Sequence, residues 1–336
     1  MPPILSINNL RTEFRTREGS FYAVDGVSFH VDKGEVLGLV GESGCGKSVT
    51  ALSIMRILPD PPGHIAGGEV IFEGVDLLKL PEPRMRAVRG GRIGMVFQEP
   101  MTSLNPVFTV GDQVAEALIV HKGLKKDQAL KQAAELFGMV GLPEPERLLS
   151  SYPHRLSGGM RQRVMIAMAI SCGPGLVIAD EPTTALDVTI QAQILALLDD
   201  IRKKTGTAII LITHDLGIIA QMADRVAVMY AGRIVEEART DDIFHDPLHP
   251  YTQGLLASIP KPGESQKRLS AIPGMVPKLS ELPRGCKFLP RCPYARPEYA
   301  ETEPELAEIK PGHRVRCFRA QGKQPYFLKP IRPPKF

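Results

Sequence analysis

The sequence predicts an α/β fold with a largely parallel sheet and an all-helical insertion. Residues from about 101 to 170 have helical periodicity and few strand signals, which predicts the insertion. Beyond about residue 246 prolines become frequent and periodicity fades, so we place a domain boundary between residues 1–245 and 246–336. Four short, continuous apolar segments are typical of buried parallel strands: residues 36–40, 176–179, 208–212 and 226–230.

The remaining elements follow from local patterns along the chain. Residues 4–14 and 21–31 alternate in part and predict two strands joined by a turn at 17–20. A Pro/Gly break is expected at residues 59–68. Further short strands are expected at residues 69–72 and 93–97. Apolar residues at helical spacing predict helices at 47–58, 110–118, 130–140 and 190–201.

Composition narrows the classes of protein that need to be considered. The 336 residues are 43% hydrophobic and 23% charged, which is ordinary for a globular protein. A net charge of +4 does not indicate a nucleic-acid partner, and no apolar stretch is long enough to cross a membrane. The N-terminus lacks the regions of a signal peptide, and five unevenly placed cysteines do not indicate a disulfide framework. We therefore expect a cytoplasmic protein.

Residues 41–48 read Gly-Glu-Ser-Gly-Cys-Gly-Lys-Ser and fill every fixed position of the phosphate-loop pattern G-x-x-x-x-G-K-[ST]. In this pattern glycines let backbone N–H groups curve around phosphate, Lys47 reaches the terminal phosphates, and the Ser48 hydroxyl holds Mg²⁺. A predicted strand precedes the loop and a predicted helix follows it, as the motif requires. A glycine turn in a solvated loop would not explain Lys47-Ser48 at the start of a helix. The loop occurs once, so we expect one nucleotide site per chain.

Two further polar segments follow buried strands. Asp180 and Glu181 end the strand predicted at 176–179, where one carboxylate can hold Mg²⁺ through water and the other can deprotonate an attacking water. The alternative is a helix N-cap, since Pro and Thr come next. His214 follows the strand predicted at 208–212, at the sheet edge where ligands bind in such folds. It either contacts phosphate or is a polar end of the strand.

A second anion-binding segment is predicted at Ser157-Gly158-Gly159, which opens a helix through residues 164–167. A serine and bare N–H groups at a helix N-terminus attract anions. Taken alone, Ser-Gly-Gly is also a common helix N-cap.

Together these segments resemble the nucleotide-binding subunit of an ATP-binding cassette (ABC) transporter over about residues 4–245. Residues 41–48 are similar to the Walker A loop, 176–181 to Walker B, and 156–160 to the family signature, the most specific of the motifs. Gln98 lies where the family has its Q-loop glutamine. Met160 departs from the signature, because many members have glutamine there. The resemblance implies a P-loop NTPase core with an antiparallel β subdomain, a helical insertion and a small cysteine-containing C-terminal extension.

The family resemblance also implies a role for individual residues. Residues 185–187 are similar to the D-loop and His214 to the switch histidine. Glu181, His214 and Gln98 are the implied catalytic residues, with Glu181 as general base, and Ser48, Gln98 and Asp180 are the implied ligands of Mg²⁺. Phe14 is the first candidate for stacking on adenine and Tyr22 the second. The implied ATP-binding residues are Phe14, Tyr22, Gly41, Ser43, Gly44, Cys45, Gly46, Lys47, Ser48, Val49, Ser157, Gly158, Gly159 and Asp187.

In such a protein two subunits close face to face with two ATP molecules between them. The implied partners are two transmembrane permease subunits, a second ABC ATPase subunit that is a related chain or a copy of this one, and, indirectly, an extracytoplasmic peptide-binding protein. The implied location is the cytoplasmic face of a prokaryotic inner membrane, held peripherally.

The C-terminal region indicates the branch. Residues 246–256, with His249-Pro250-Tyr251, resemble the His-Pro-Tyr segment of the dipeptide/oligopeptide (nickel-related) import branch. Import of di- or oligopeptides is therefore expected, with nickel or another small solute as the alternative. A soluble ABC ATPase that acts on nucleic acid or ribosomes is a weaker alternative, since translation-group members usually carry two cassettes in one chain.

Three cysteines of the extension, Cys286, Cys292 and Cys317, form a separate candidate site. Grouped thiolates suit iron–sulfur or zinc, whereas three small buried apolar residues would explain them equally well. Members of the dipeptide/oligopeptide import branch, which this region resembles, often have four cysteines here and can carry a [4Fe–4S] cluster. In this chain Tyr299 stands at the expected remaining cysteine, so a cluster would need another ligand, for which His313 is a candidate.

Overall fold

A computed structural model describes residues 2–17, 19–184, 186–259 and 272–322. The chain divides into two compact units. Unit 1 takes its described residues from Met1–Leu5, His30–Val36 and Ile71–Ile212. Unit 2 takes its described residues from Ser6–Phe29, Leu37–Val70 and Thr213–Phe336. No helix in the described ranges has both the length and the apolar composition needed to cross a membrane.

Strands were predicted from runs and alternation of apolar residues, and most of them are present. The strands are β1 (Leu5–Thr16), β2 (Gly19–Val31), β3 (Val36–Val40), β4 (Gly63–Phe72), β5 (Val75–Asp76), β6 (Ile93–Val96), β7 (Leu176–Asp180), β8 (Ala208–Thr213), β9 (Arg225–Tyr230), β10 (Arg233–Arg239), β11 (Ala307–Lys310) and β12 (His313–Val315).

The α-helices are α1 (Lys47–Met55), α2 (Glu82–Val88), α3 (Pro100–Ser103), α4 (Val110–Lys122), α5 (Lys126–Met139), α6 (Pro145–Leu148), α7 (Gly158–Ile170), α8 (Val188–Thr205), α9 (Leu216–Met222), α10 (Thr240–His245) and α11 (Pro250–Ala257). Between residues 101 and 170 the regular elements are helical, which confirms the predicted insertion.

Unit 1 contains a parallel sheet in the order β6-β7-β8. Leu176 of β7 pairs with Ile93 on one side and with Ala208 on the other. Every residue of these three strands is buried, which explains why continuous apolar runs identified them. α7 packs closely on the sheet, because a Cβ atom at Gly94 would lie 2.2 Å from the carbonyl oxygen of Ala169. The sheet therefore holds the C-terminal ends of β6 and β7 beside each other.

Unit 2 has its own strand pairings. β3 runs parallel to β9, and β10 runs antiparallel to β9. β12 pairs antiparallel with β10 and β11 with β12. Two strands of the C-terminal extension therefore continue the sheet of unit 2. A separate sheet contains β1 between β2 and β4.

Two parts of the fold differ from the sequence prediction. The break expected at residues 59–68 is shorter, because β4 begins at Gly63. β10 was missed because two adjacent glutamates, Glu236 and Glu237, lie within it and are buried. Glu236 accepts hydrogen bonds from the His313 side chain and from the backbone N–H groups of Leu248 and His249. Glu237 forms ion pairs with Arg225 and with Arg314 of β12. Paired carboxylates can be buried where unpaired ones cannot.

Candidate functional site

The phosphate loop of residues 41–48 runs between β3 and α1, and two of its positions accept only glycine. Gly41 and Gly46 have φ angles of 152° and 106°. A Cβ atom at Gly41 would lie 2.2 Å from Met229 O, and one at Gly46 would lie 2.3 Å from Ala23 O. The backbone therefore passes too close to its neighbours for any side chain. α1 begins without a side-chain cap, so its N-terminus presents backbone N–H groups to an anion.

Lys47 lies inside the curve of this loop and is only 5% exposed. Its Nζ donates to the carbonyl oxygen of Gly41 at 2.8 Å and to that of Glu42 at 3.1 Å. A buried ammonium with carbonyl partners keeps its charge directed into the loop. This is the arrangement expected of a lysine that binds phosphate.

The other predicted residues of the phosphate loop differ in how far they are exposed to solvent. Ser43 and Gly44 are exposed, and Ser48 and Val49 are half-buried. Cys45 is buried beneath the loop, with Sγ 3.8 Å from Lys47 Nζ, and burial raises the pKa of its thiol. The Cys45 side chain thus supports the loop from below, and only its backbone could face a ligand.

In unit 1 the structure brings together two of the predicted catalytic residues. Gln98 Nε2 donates to Glu181 Oε2 at 3.3 Å, just beyond the ends of β6 and β7. Thr184 Oγ1 donates to the same oxygen at 2.8 Å. Glu181 has a left-handed φ of 46°, an uncommon conformation that orients its carboxylate, and Asp180 at the end of β7 is 5% exposed. The Glu181 carboxylate is thus oriented by hydrogen bonds from the side chains of Gln98 and Thr184.

The signature and D-loop segments are both helix N-termini of unit 1. The Ser157 hydroxyl accepts from Met160 N at 3.3 Å and caps α7, and Gly158 beside it is exposed. Asp187 caps α8 through Ile190 N at 2.9 Å. Gly159 is held against α8, because a Cβ atom there would lie 2.8 Å from Ile190 Cγ2. Ala185 of the predicted D-loop lies outside the described residues.

His214 and the candidate adenine-stacking residues belong to unit 2. His214 is exposed and follows β8 directly, as predicted. Phe14 stacks on Phe21 with ring centroids 6.3 Å apart and planes 7° apart, whereas Tyr22 is 40% exposed. Sequence reasoning missed Phe21, although its place opposite Phe14 in a hairpin could have suggested it.

The three cysteines of the extension line one small pocket with Tyr299 and Phe318. In the described part of the chain, no group of three or more His, Cys, Asp or Glu residues is arranged to hold a metal ion. Tyr299 stacks on Phe318 at 4.9 Å, and its buried hydroxyl has no hydrogen-bond partner among the described residues. His313 Nε2 instead lies 2.7 Å from Glu236 Oε1.

The predicted iron–sulfur or zinc site is therefore not supported. Cys286, Cys292 and Cys317 line one pocket with His249, but in the described part of the chain they do not form a metal-binding group. Burial disfavours the thiolate form of these side chains, and it raises the pKa of Cys286 to about 11 and that of Cys292 to about 12. The pKa of the Cys317 thiol is raised for the same reason.

These thiols are expected to react slowly. Only the thiolate is alkylated, and a pKa of about 11 in place of 9.0 lowers the thiolate fraction of Cys286 at pH 8 by about 100-fold. The alkylation rate should then rise about tenfold per pH unit from pH 8 to 10. Peptide mass spectrometry after iodoacetamide treatment measures each rate, with the urea-unfolded chain as control. Folded and unfolded rates that agree for Cys286 and Cys292 would contradict the raised pKa values.

Comparison with known proteins places this architecture in a family. The chain matches the ABC transporter family over residues 24–184 and the family described as "Oligopeptide/dipeptide transporter, C-terminal region" over residues 235–298. It is 55% identical over 318 residues to the "Probable peptide ABC transporter ATP-binding protein y4tR" of Sinorhizobium fredii, which covers 94% of this chain and 95% of the relative. This chain belongs to the ABC transporter family. The match at its C-terminal end puts it in the oligopeptide/dipeptide branch, and both sequence predictions are confirmed.

Other relatives of this ABC ATPase are also named as ATP-binding proteins of peptide transport. The oligopeptide transport ATP-binding protein AppD of Bacillus subtilis is 54% identical, with 95% of this chain and 97% of the relative covered. The dipeptide transport ATP-binding protein DppD of the same organism is 50% identical, with 95% of each chain covered. Among solved structures, the dimeric post-hydrolysis state of the ATP-binding cassette MJ0796 bound to ADP and Pi has a TM-score of 0.64 at 28% identity. It covers 70% of this chain and 98% of that chain, which confirms the ABC ATPase fold.

Proposed function

We propose that this ABC ATPase hydrolyses ATP with Mg²⁺ to drive the import of dipeptides or oligopeptides through a membrane transporter. The observation that carries the ATPase part is the phosphate loop, in which a buried lysine is held inside a glycine-shaped curve of backbone. The peptide substrate is supported by the C-terminal match and by the functions for which the relatives are named. The nickel alternative has no comparable support.

The residues of unit 2 are proposed to bind the nucleotide. Lys47 neutralises charge on the terminal phosphates, and the N–H groups of the loop and of the first turn of α1 bind phosphate oxygens. His214 contacts the γ-phosphate, and Phe14, stacked on Phe21, offers a flat face to adenine. A change at Lys47 should therefore affect nucleotide affinity directly.

The residues of unit 1 are proposed to take a proton from the attacking water. Glu181 takes the proton from the attacking water, with Gln98 and Thr184 holding its carboxylate in place. Gln98 and Asp180 would supply oxygen ligands of the kind that Mg²⁺ prefers, so the residues of this unit fit the ion. When bound, Mg²⁺ offsets negative charge on the phosphates. Ser157 and Gly158 provide an anion-binding helix N-terminus for the nucleotide of a partner subunit.

The proposed partners follow from the same assignment. The subunit works peripherally at the cytoplasmic face of a prokaryotic inner membrane, with two transmembrane permease subunits. A second ATPase subunit, a related chain or a copy of this one, completes the nucleotide sites, and a peptide-binding protein delivers the substrate. The helical insertion of α3 to α7 is the surface that we assign to the permease.

Reconstitution tests the whole proposal. The subunit is co-expressed with its permease partners, purified from the membrane and incorporated into proteoliposomes. We expect Mg²⁺-dependent ATP hydrolysis and ATP-dependent accumulation of a labelled oligopeptide, with ADP in place of ATP as control. Uptake of labelled Ni²⁺ without peptide uptake would contradict the substrate. Purification with ribosomes rather than with membrane subunits would contradict the transporter role.

A further inference from the structure

We propose that Arg291 of the C-terminal extension is a positioning residue for the phosphate loop, which it serves by neutralising Glu42. This proposal rests on the proposed role of the loop in binding nucleotide. Both residues belong to unit 2, although 249 positions separate them along the chain. Neither residue belongs to the fixed positions of the loop motif, which is why the sequence alone did not single them out.

The contact between the two residues is a two-pronged ion pair in which the arginine is buried and the glutamate is partly exposed. Arg291 Nη1 donates to Glu42 Oε2 at 2.6 Å and Nη2 donates to Oε1 at 3.0 Å. The Arg291 side chain is 3% exposed and that of Glu42 is 30% exposed. Nε of Arg291 donates to the carbonyl oxygen of Pro273 at 3.1 Å, and the guanidinium carbon lies 5.8 Å from the centre of the Tyr230 ring. Such pairing fixes both charge and geometry more firmly than a surface ion pair does.

Glu42 is held at two further points. Its backbone N–H donates to the hydroxyl of Tyr251 at 2.8 Å, and its carbonyl oxygen accepts from Lys47 Nζ at 3.1 Å. Tyr251 is fully buried and comes from α11, the helix of the His-Pro-Tyr segment. Arg291 and Tyr251 of the C-terminal region therefore both bind Glu42, and the carbonyl oxygen of Glu42 in turn binds Lys47. The position of Lys47 is thus linked to the C-terminal region through one amino acid.

The charge of Glu42 explains why this link matters for binding. A carboxylate in a loop that receives phosphate opposes the incoming anion. The buried Arg291 guanidinium cancels that charge, whereas the Glu42 carboxylate itself remains partly exposed to solvent and salt. Loss of Arg291 alone would leave a negative charge uncompensated beside the phosphates. Loss of both charges would leave the loop electrically neutral at this position.

A four-member set of proteins tests the proposal. The wild type, Arg291→Gln, Glu42→Gln and the double variant are each titrated with Mg-ADP by isothermal calorimetry, since the chain contains no Trp for intrinsic fluorescence. We expect Arg291→Gln to weaken binding about tenfold and the double variant to bind within about threefold of wild type. The weakening in Arg291→Gln should shrink as salt is added. Circular dichroism and thermal unfolding establish that each variant is folded.

Arg314→Gln is the matched control, because Arg314 also joins the extension to the cassette by an ion pair, with Glu237, but does not touch the loop. It should bind nucleotide as the wild type does. Wild-type affinity in Arg291→Gln would overturn the proposal. A double variant as weak as Arg291→Gln would also overturn it, because a purely structural role is not rescued by removing the opposite charge. Failure of the wild type to bind Mg-ADP would instead overturn the proposed function of the loop.

Discussion

Replacement of Glu181 by glutamine is expected to lower ATP turnover by about 100- to 10,000-fold while nucleotide binding is retained. Glutamine preserves the size of the side chain and can still accept from Gln98 and Thr184, but it cannot take a proton from water. Because ATP is bound and not consumed, the variant should accumulate as a nucleotide-bound dimer. Phosphate release measures the first effect, and size-exclusion chromatography with Mg-ATP measures the second.

The control for this prediction is Glu135→Gln, which removes an exposed carboxylate of α5 in the same unit. It should hydrolyse ATP at the wild-type rate. Thr184→Val gives a graded test, because it removes a hydroxyl that donates to the Glu181 carboxylate and should reduce kcat more than it changes KM. Turnover in Glu181→Gln within about threefold of wild type would exclude Glu181 as the general base.

Replacement of Lys47 by alanine is expected to weaken nucleotide binding by about 100-fold and to reduce ATPase activity below detection at ordinary ATP concentrations. The change removes a buried cation and leaves the carbonyl oxygens of Gly41 and Glu42 without that donor. Calorimetric titration with Mg-ATP measures the affinity, and phosphate release measures turnover.

Two further variants make the Lys47 prediction specific. Lys33→Ala removes an exposed lysine that precedes β3 and should leave both measurements unchanged. Lys47→Arg keeps the positive charge but places a larger, planar group in a position that is only 5% exposed, and it should not restore activity. Full activity in Lys47→Arg would mean that charge alone, rather than a compact ammonium, is what the loop requires.

Much of the fold could be predicted because its signals are local. The strands β3, β7, β8 and β9 are continuous apolar runs, and burial on both faces produces that pattern. β10 was not predicted, because its two glutamates are buried only through partners elsewhere in the chain, such as His313. Local periodicity contains no information about such distant partners.

The same distinction applies to the site. Lys47, Glu181 and Gln98 lie in short motifs whose spacing reflects their chemistry, so the sequence identified them. Thr184, which donates to Glu181, could have been found as a hydroxyl three residues along the chain. Arg291 could not have been found, since its contact with Glu42 spans 249 residues and exists only in the folded chain.

The pairing of β12 with β10 has a consequence for shortened forms of this protein. A chain cut near residue 245 would lose the strand that covers β10 and would leave an open sheet edge. That edge would carry Glu236 and Glu237, which would then have lost their partners His313 and Arg314. Open edges recruit strands from other molecules, so the cassette without its extension would be prone to aggregation. We therefore expect the extension to protect this edge of the nucleotide-binding portion from pairing with strands of other molecules.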